Sequence, residues 1–168
     1  MGMTTRTLVI LRHAKAEGPN RVSDADRSLT ERGHADAGAA GAWLVAREYV
    51  PDLVICSPAR RTRQTWHGVA VAMAEHGSPE VLYQAEAYGG GPTDLLALLR
   101  ATPAAIGTVL LIGHNPSVSL VSVALDPGGS SEPEGLRTSG LAVHRPDVDW
   151  DALAPGNAPL IATHTARA

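Results

Sequence analysis

The chain has 168 residues, 44% of them hydrophobic and 18% charged, which is enough apolar material for one packed domain and too much for a disordered chain. Its 14 Lys and Arg against 17 Asp and Glu leave a formal charge of −3, which excludes a nucleic-acid binder relying on bulk electrostatics but leaves room for a local cluster of arginines. A single cysteine excludes an internal disulfide, and there is neither a basic-then-apolar leader nor an apolar run of membrane-spanning length, so the expected compartment is the cytoplasm, with no membrane partner.

Residues 7–12 hold a run of aliphatic side chains and predict a buried strand. Residues 18–28 are polar and read as a loop. Thr30 is placed to cap a helix running to about Glu48, with Ala35, Ala39, Ala42, Trp43 and Ala46 as its expected inner face. After Pro51, residues 52–56 predict a second strand. Ser57-Pro58 opens a second helix, with Ser57 as N-cap, Pro58 in the first turn, and Trp66, Val69, Ala70 and Met73 facing inward. Val81 to Tyr83 predict a short strand, residues 89–92 a loop, and Thr93 a cap for the helix carrying Leu95, Leu96, Leu98 and Leu99. Thr108 to Ile112 read as a buried strand, followed by Gly113-His114-Asn115-Pro116 and a helix to about Leu125. Residues 126–135 are rich in Gly, Ser, Pro and Glu and are expected to be mobile. Leu141 to His144 and Leu160 to Thr163 are expected as late strands, paired antiparallel at a sheet edge. Alternating strands and helices with no second-domain boundary predict one domain over 1–168, an α/β/α three-layer sandwich around a mostly parallel sheet.

Three strand ends carry reactive side chains: Arg12-His13, the segment Ser57 to Thr65 with its arginines, and Gly113-His114-Asn115-Pro116. In parallel strands all three emerge at one carboxyl edge, where α/β folds gather their ligand sites. Two imidazoles and two guanidinium groups at one edge suit a phosphoryl group.

These pieces resemble the histidine phosphatase superfamily, the phosphoglycerate mutase-like group, and in particular its small SixA-like branch of phosphohistidine phosphatases. Arg12-His13-Ala14 is similar to the family's Arg-His-Gly signature, and Asp26 to Gly33 resembles the branch's Asp-Arg-x-Leu-Thr-x-x-Gly segment. Ser57 to Thr65 is similar to its Ser-x-x-x-Arg-x-x-x-Thr helix start, and Gly113 to Pro116 resembles its second-histidine motif. Four motifs in order are specific where each alone is weak. The resemblance implies a metal-independent phosphatase without cofactor, working through a phosphohistidine on His13, with Arg12, Arg61 and His114 holding the phosphoryl group. The family's register selects Arg61 over Arg60 and Arg63. Larger members use a carboxylate to protonate the leaving group; Glu86, just before Tyr88-Gly89 near the equivalent region, is the candidate proton donor, although the resemblance to the small branch implies no matching acid. The implied partner is a phosphohistidine-bearing protein, the alternatives being a small phosphorylated metabolite or a non-catalytic phospho-ligand module.

The remaining features are expected to be structural. His34, His67, His76, His144 and His164 lack metal-ligand spacing. Cys56 ends an apolar strand, and no arginine stands at the distance a cysteine phosphatase requires. Gly89-Gly90-Gly91 lacks the Lys-Ser/Thr of a phosphate-binding loop. Trp43 and Trp66 read as packing, Asp26-Arg27 as a local ion pair with Arg27 a possible rim contact, and Ala14 as a harmless replacement for glycine if its φ is negative.

Overall fold

The computed structural model describes residues 5–19, 21–129 and 135–168. Six strands form one sheet: β1 (Thr7–Arg12), β2 (Leu53–Cys56), β3 (Glu80–Tyr83), β4 (Thr108–Gly113), β5 (Gly140–His144) and β6 (Leu160–Thr165), in the order β3-β2-β4-β1-β5-β6. The first four strands are parallel, and β5 and β6 complete one edge antiparallel. The helices are α1 (Glu31–Ala46), α2 (Arg60–Ala72), α3 (Glu86–Gly89), α4 (Pro92–Arg100) and α5 (Ser117–Leu125). None among the described residues is long and apolar enough to cross a membrane. Asn20 and residues 130–134, parts of the two expected loops, lie outside the described residues.

The aliphatic runs are unbroken because the central strands are buried on both faces. Successive side chains alternate between two cores. Leu8, Ile10, Ile55, Val109 and Leu111 meet Leu95 and Leu99 of α4 and Val118, Val121 and Leu125 of α5. Val9, Leu11, Val54, Leu110 and Ile112 meet Ala40 and Leu44 of α1, Trp66 and Val69 of α2, and Met73 just past its end. The result is the expected three-layer sandwich.

Local details depart from the sequence reading. In α1, Ala35, Ala42 and Ala46 are exposed, and the buried face is Gly33, Asp36, Ala37, Ala40, Gly41 and Leu44. An alanine-rich helix carries little apolar contrast, so its inward face is set by what α2 can approach. A Cβ on Gly41 would stand 2.6 Å from the Val69 carbonyl oxygen, and one on Gly68 would stand 2.7 Å from the Ala37 Cβ. Missing side chains therefore mark that contact better than apolar ones. The second helix begins at Arg60 with Ala59 as cap, so Ser57 and Pro58 precede it. Pro92 opens α4, capped by Gly91, which leaves Thr93 inside the helix. Gly89 closes α3, so the segment 89–92 is only partly loop.

Thr30 caps α1 as expected: its Oγ1 accepts from the Gly33 N–H at 2.9 Å and donates to the Lys15 carbonyl at 3.3 Å. The Thr30 N–H donates to the same Lys15 oxygen at 2.9 Å. This clips the helix start onto the segment that follows His13. A Cβ at position 33 would lie 2.1 Å from the Lys15 oxygen, so only glycine permits the approach. Gly33→Ala is therefore expected to cost about 1–3 kcal/mol of stability through overpacking, read as a lower urea midpoint at unchanged slope.

Candidate active site

The site is built from adjacent parallel strand ends. Arg12 pairs in register with Gly113, and Cys56 with Ile112, so β1, β4 and β2 stop at nearly one level. The next residues, His13, His114 and Ser57, then stand side by side. The His13 N–H donates to the Gly113 carbonyl and the Ser57 N–H to the Ile112 carbonyl, each at 3.1 Å. The His13 and His114 ring centroids are 5.3 Å apart.

His13 is 8% exposed. Its Nδ1 lies 2.7 Å from the Ala14 carbonyl oxygen, which can only accept, so Nδ1 carries the ring proton and Nε2 keeps its lone pair. Burial, reinforced by Arg61, Arg12 and Arg27, pushes the ring's pKa down to about 4, against the Ala14 bond that raises it. The ring is a neutral base at physiological pH, held at one nitrogen and open at the other. Such a ring can act as a nucleophile toward phosphorus. Ala14 is buried, and among the described residues only Glu48 and Ser139 adopt positive φ outside glycine, so alanine costs nothing at this position.

Thr65, fully buried on α2, ties the helix to the strand end. Its Oγ1 accepts from the Ala14 N–H at 3.0 Å and donates to the Arg61 carbonyl at 2.7 Å. Arg61 is 5% exposed, whereas Arg60 and Arg63 are exposed. Arg12 is half-buried, and its Nη1 donates to the Leu136 carbonyl at 3.0 Å. Asn115 donates to that same oxygen at 2.7 Å, which brings the second-histidine motif into the support of Arg12.

Asp24 is the participant that the sequence reading missed. It lies on a short 3-10 turn (Asp24–Asp26) and meets Arg61 twice: its carbonyl accepts from Nη1 at 2.7 Å and its Oδ2 from Nη2 at 3.0 Å. Oδ2 also accepts from the Tyr88 hydroxyl at 2.7 Å, and Oδ1 accepts from Arg27. Arg27 therefore pairs with Asp24, not with Asp26, which instead accepts from Ser23. The Tyr88 bond, with help from Arg27 and Arg61, holds the Asp24 carboxyl well below its ordinary pKa, so it is ionised at any physiological pH. Glu86 opens α3 with its side chain exposed, and it is Tyr88, two residues on, that reaches the site. An Asp three residues before an Arg in a polar loop was a faint signal for this network.

Two of the other histidines have local roles. His144 is wholly buried, bonded at Nε2 to Ser122 and at Nδ1 to the Ala158 carbonyl, and His164 stacks on Trp43. Cys56 is buried, and burial pushes its thiol pKa up to about 12, so it is unreactive. Among the described residues, no three His, Cys, Asp or Glu side chains are grouped to hold a metal ion.

Two outcomes are expected. Thr65→Val should leave the Ala14 N–H without an acceptor and cost about 1–3 kcal/mol in denaturant unfolding. Stability should also fall as pH drops from 7 toward 4. The unfolded chain binds protons on histidine near pH 6.5, while His13 resists until about 4, so the unfolded state takes up more protons across that window. His13→Gln should flatten this dependence in urea titrations at pH 7 and 5; an unchanged slope would contradict the buried neutral ring.

The sequence pattern of the Histidine phosphatase superfamily (branch 1) matches residues 8–81. A SixA-type protein from Nakamurella multipartitia superposes with a TM-score of 0.84 at 34% identity, covering 98% of both chains. The protein histidine phosphatase SixA complexed with tungstate gives 0.78 at 28% identity, over 95% of this chain and 96% of that one. An uncharacterised protein of Mycobacterium tuberculosis is 32% identical over 94% of this chain and its own full length. The fold, the ordered motifs and these likenesses agree: the chain belongs to the histidine phosphatase superfamily, in its SixA-like branch, and is a histidine-dependent phosphatase.

Proposed function

We propose that the protein removes the phosphoryl group from phosphohistidine on another protein, by way of a covalent phosphohistidine on its own His13. The observation that carries this reading is the His13 ring, buried, neutral, anchored through Nδ1 and open at Nε2, with His114 beside it and Arg12 and Arg61 nearby.

In the first step the Nε2 lone pair forms a bond to phosphorus while the P–N bond of the substrate breaks, and the leaving imidazole keeps that electron pair. Arg12 and Arg61 present planar donor forks to the phosphoryl oxygens and stabilise charge spread over them in the transition state. In the second step water forms a bond to phosphorus, the bond to His13 breaks, and phosphate leaves with Nε2 restored. A phosphorylated imidazole can take a proton from solvent at its free nitrogen before it departs, so the scheme requires no enzymic acid. That fits the side chains present: Asp24 is held ionised and cannot supply a proton at neutral pH, and Glu86 is exposed on α3.

A protein substrate fits the short connection between α2 and β4. It holds only β3, the four residues of α3 and the nine of α4, and carries no inserted cap over the strand ends. SixA-type neighbours cover nearly the whole chain, and one of them is a protein histidine phosphatase.

Purified protein should dephosphorylate a phosphohistidine-bearing protein faster than sugar phosphates or nucleotides, and acid-sensitive label should accumulate on His13 after rapid quenching. His13→Ala should abolish both turnover and label while the circular dichroism spectrum stays unchanged. Arg61→Ala should lower kcat/KM by about 10²–10³-fold, as for loss of a donor to a developing anion. Rapid hydrolysis of a metabolite phosphate with neglect of phosphohistidine would overturn the substrate assignment, and absence of trapped phosphate on His13 would overturn the mechanism.

A further inference from the structure

Ser57 occupies a position that the phosphoryl-transfer scheme does not use. It is wholly buried, one residue beyond β2. Its carbonyl accepts from the Thr62 hydroxyl at 2.8 Å, which fixes its backbone. Its Oγ accepts from the Ala59 N–H at 3.2 Å and lies 2.8 Å from Nε2 of His114. We infer that Ser57 is a positioning residue that fixes His114 as the Nδ1–H tautomer, so that this ring offers the phosphoryl group a donor rather than a lone pair. The inference rests on the phosphoryl-binding reading of the site given above.

The argument is one of donors and acceptors. A serine hydroxyl has one proton and a neutral imidazole has one. Ser57 Oγ already accepts the Ala59 N–H. Among the described residues, the only acceptor its own proton meets is His114 Nε2. If the hydroxyl donates to Nε2, that nitrogen is bare and the ring proton sits on Nδ1. The reverse arrangement would leave the buried hydroxyl proton without an acceptor. It would also turn a lone pair at Nδ1 toward an incoming anion.

Nδ1 of His114 is itself buried and, among the described residues, without a hydrogen-bond partner. Nε of Arg12 and Nε of Arg61 are in the same state. Each of these three nitrogens belongs to a residue that the scheme assigns to the phosphoryl group. Buried donors are rarely left unpaired in folded proteins, and the ring and two guanidinium groups that own these nitrogens are the ones the scheme gives to a single anion. Charge does not do the work that the tautomer does: burial and Arg61 push the His114 pKa down to about 3, so the ring is neutral and the location of its one proton matters.

The two histidines then share one tautomer and present opposite faces. His13 turns its Nδ1–H inward to the Ala14 carbonyl and leaves Nε2 as nucleophile. His114 turns Nε2 inward to Ser57 and leaves Nδ1–H as donor. One backbone carbonyl and one hydroxyl thus make a base of one ring and a hydrogen-bond donor of the other.

The test combines spectroscopy with a double-mutant cycle on the full chain. In protein carrying 15N-histidine, the His114 resonances, assigned by their loss in His114→Gln, should show a protonated Nδ1 and a bare Nε2 at neutral pH. Ser57→Ala should shift them toward a mixture of tautomers. Tungstate affinity, measured by calorimetry, should fall about 10-fold in Ser57→Ala, but less than about 2-fold when the same change is made in His114→Gln, because the serine acts through that ring. A protonated Nε2 in the unmutated protein would overturn the inference, and so would equal losses in the two backgrounds, which would mark Ser57 as merely structural. Failure of phosphatase activity on every substrate would count against the proposed function alone, since tautomer and anion affinity are read without turnover.

Discussion

The constraint on which the rest depends is the register of three parallel strands. With Arg12 opposite Gly113 and Cys56 opposite Ile112, the chain leaves the sheet at β1, β4 and β2 within one residue of the same level. Ladder hydrogen bonds continue one step past the pairing, to His13 and Ser57. His13 and Ser57 are thus placed by backbone bonds that belong to the most buried part of the molecule. A slip by one residue would move every core side chain to the wrong face, so the register is held by the whole hydrophobic interior. The precision of the site comes from there.

Around that frame, polar groups are coupled so that few can move independently. Thr65 joins α2 to the peptide of Ala14, and the Ala14 carbonyl joins the ring of His13. Leu136, far along the chain, gives its carbonyl to both Arg12 and Asn115. The electrostatics follow the same economy. Burial, with the arginines, keeps both imidazoles neutral, the state that the proposed nucleophile needs. Asp24 compensates part of that positive charge in the free protein and holds one edge of the Arg61 guanidinium through its carbonyl and carboxylate. Tyr88 and Arg27 hold Asp24 in turn. An arginine anchored in this way loses less freedom when an anion arrives, so more of its attraction is available for binding.

The sequence was most readable where side-chain chemistry and backbone period agreed. β1, β2 and β4 were legible as aliphatic runs, and Thr30 as a cap, because each obeys a local rule. The inner face of α1 was not legible, since alanine contributes almost no contrast and Gly41 and Gly68 signal contact by what they lack. Asp24 and Tyr88 were not legible for a different reason: their bond joins residues 64 apart, and neither stands in a motif that marks it. Ser57 was legible as a motif member but not in its partner, because a serine before a helix reads as a cap until the neighbouring strand brings His114 alongside.

By itself the sequence determined the layers of the fold and the family, and it singled out the four side chains on which the proposed function rests, Arg12, His13, Arg61 and His114, because aliphatic period and ordered motifs are properties of the chain read one residue at a time. Only the tertiary structure decided which nitrogen of each histidine is free and which carboxylate meets Arg61. It likewise decided which carbonyl supports Arg12. Those are facts about neighbours across strands and loops. A tautomer or an ion pair is set by the atom that arrives within hydrogen-bond reach, and no local pattern records which atom that is.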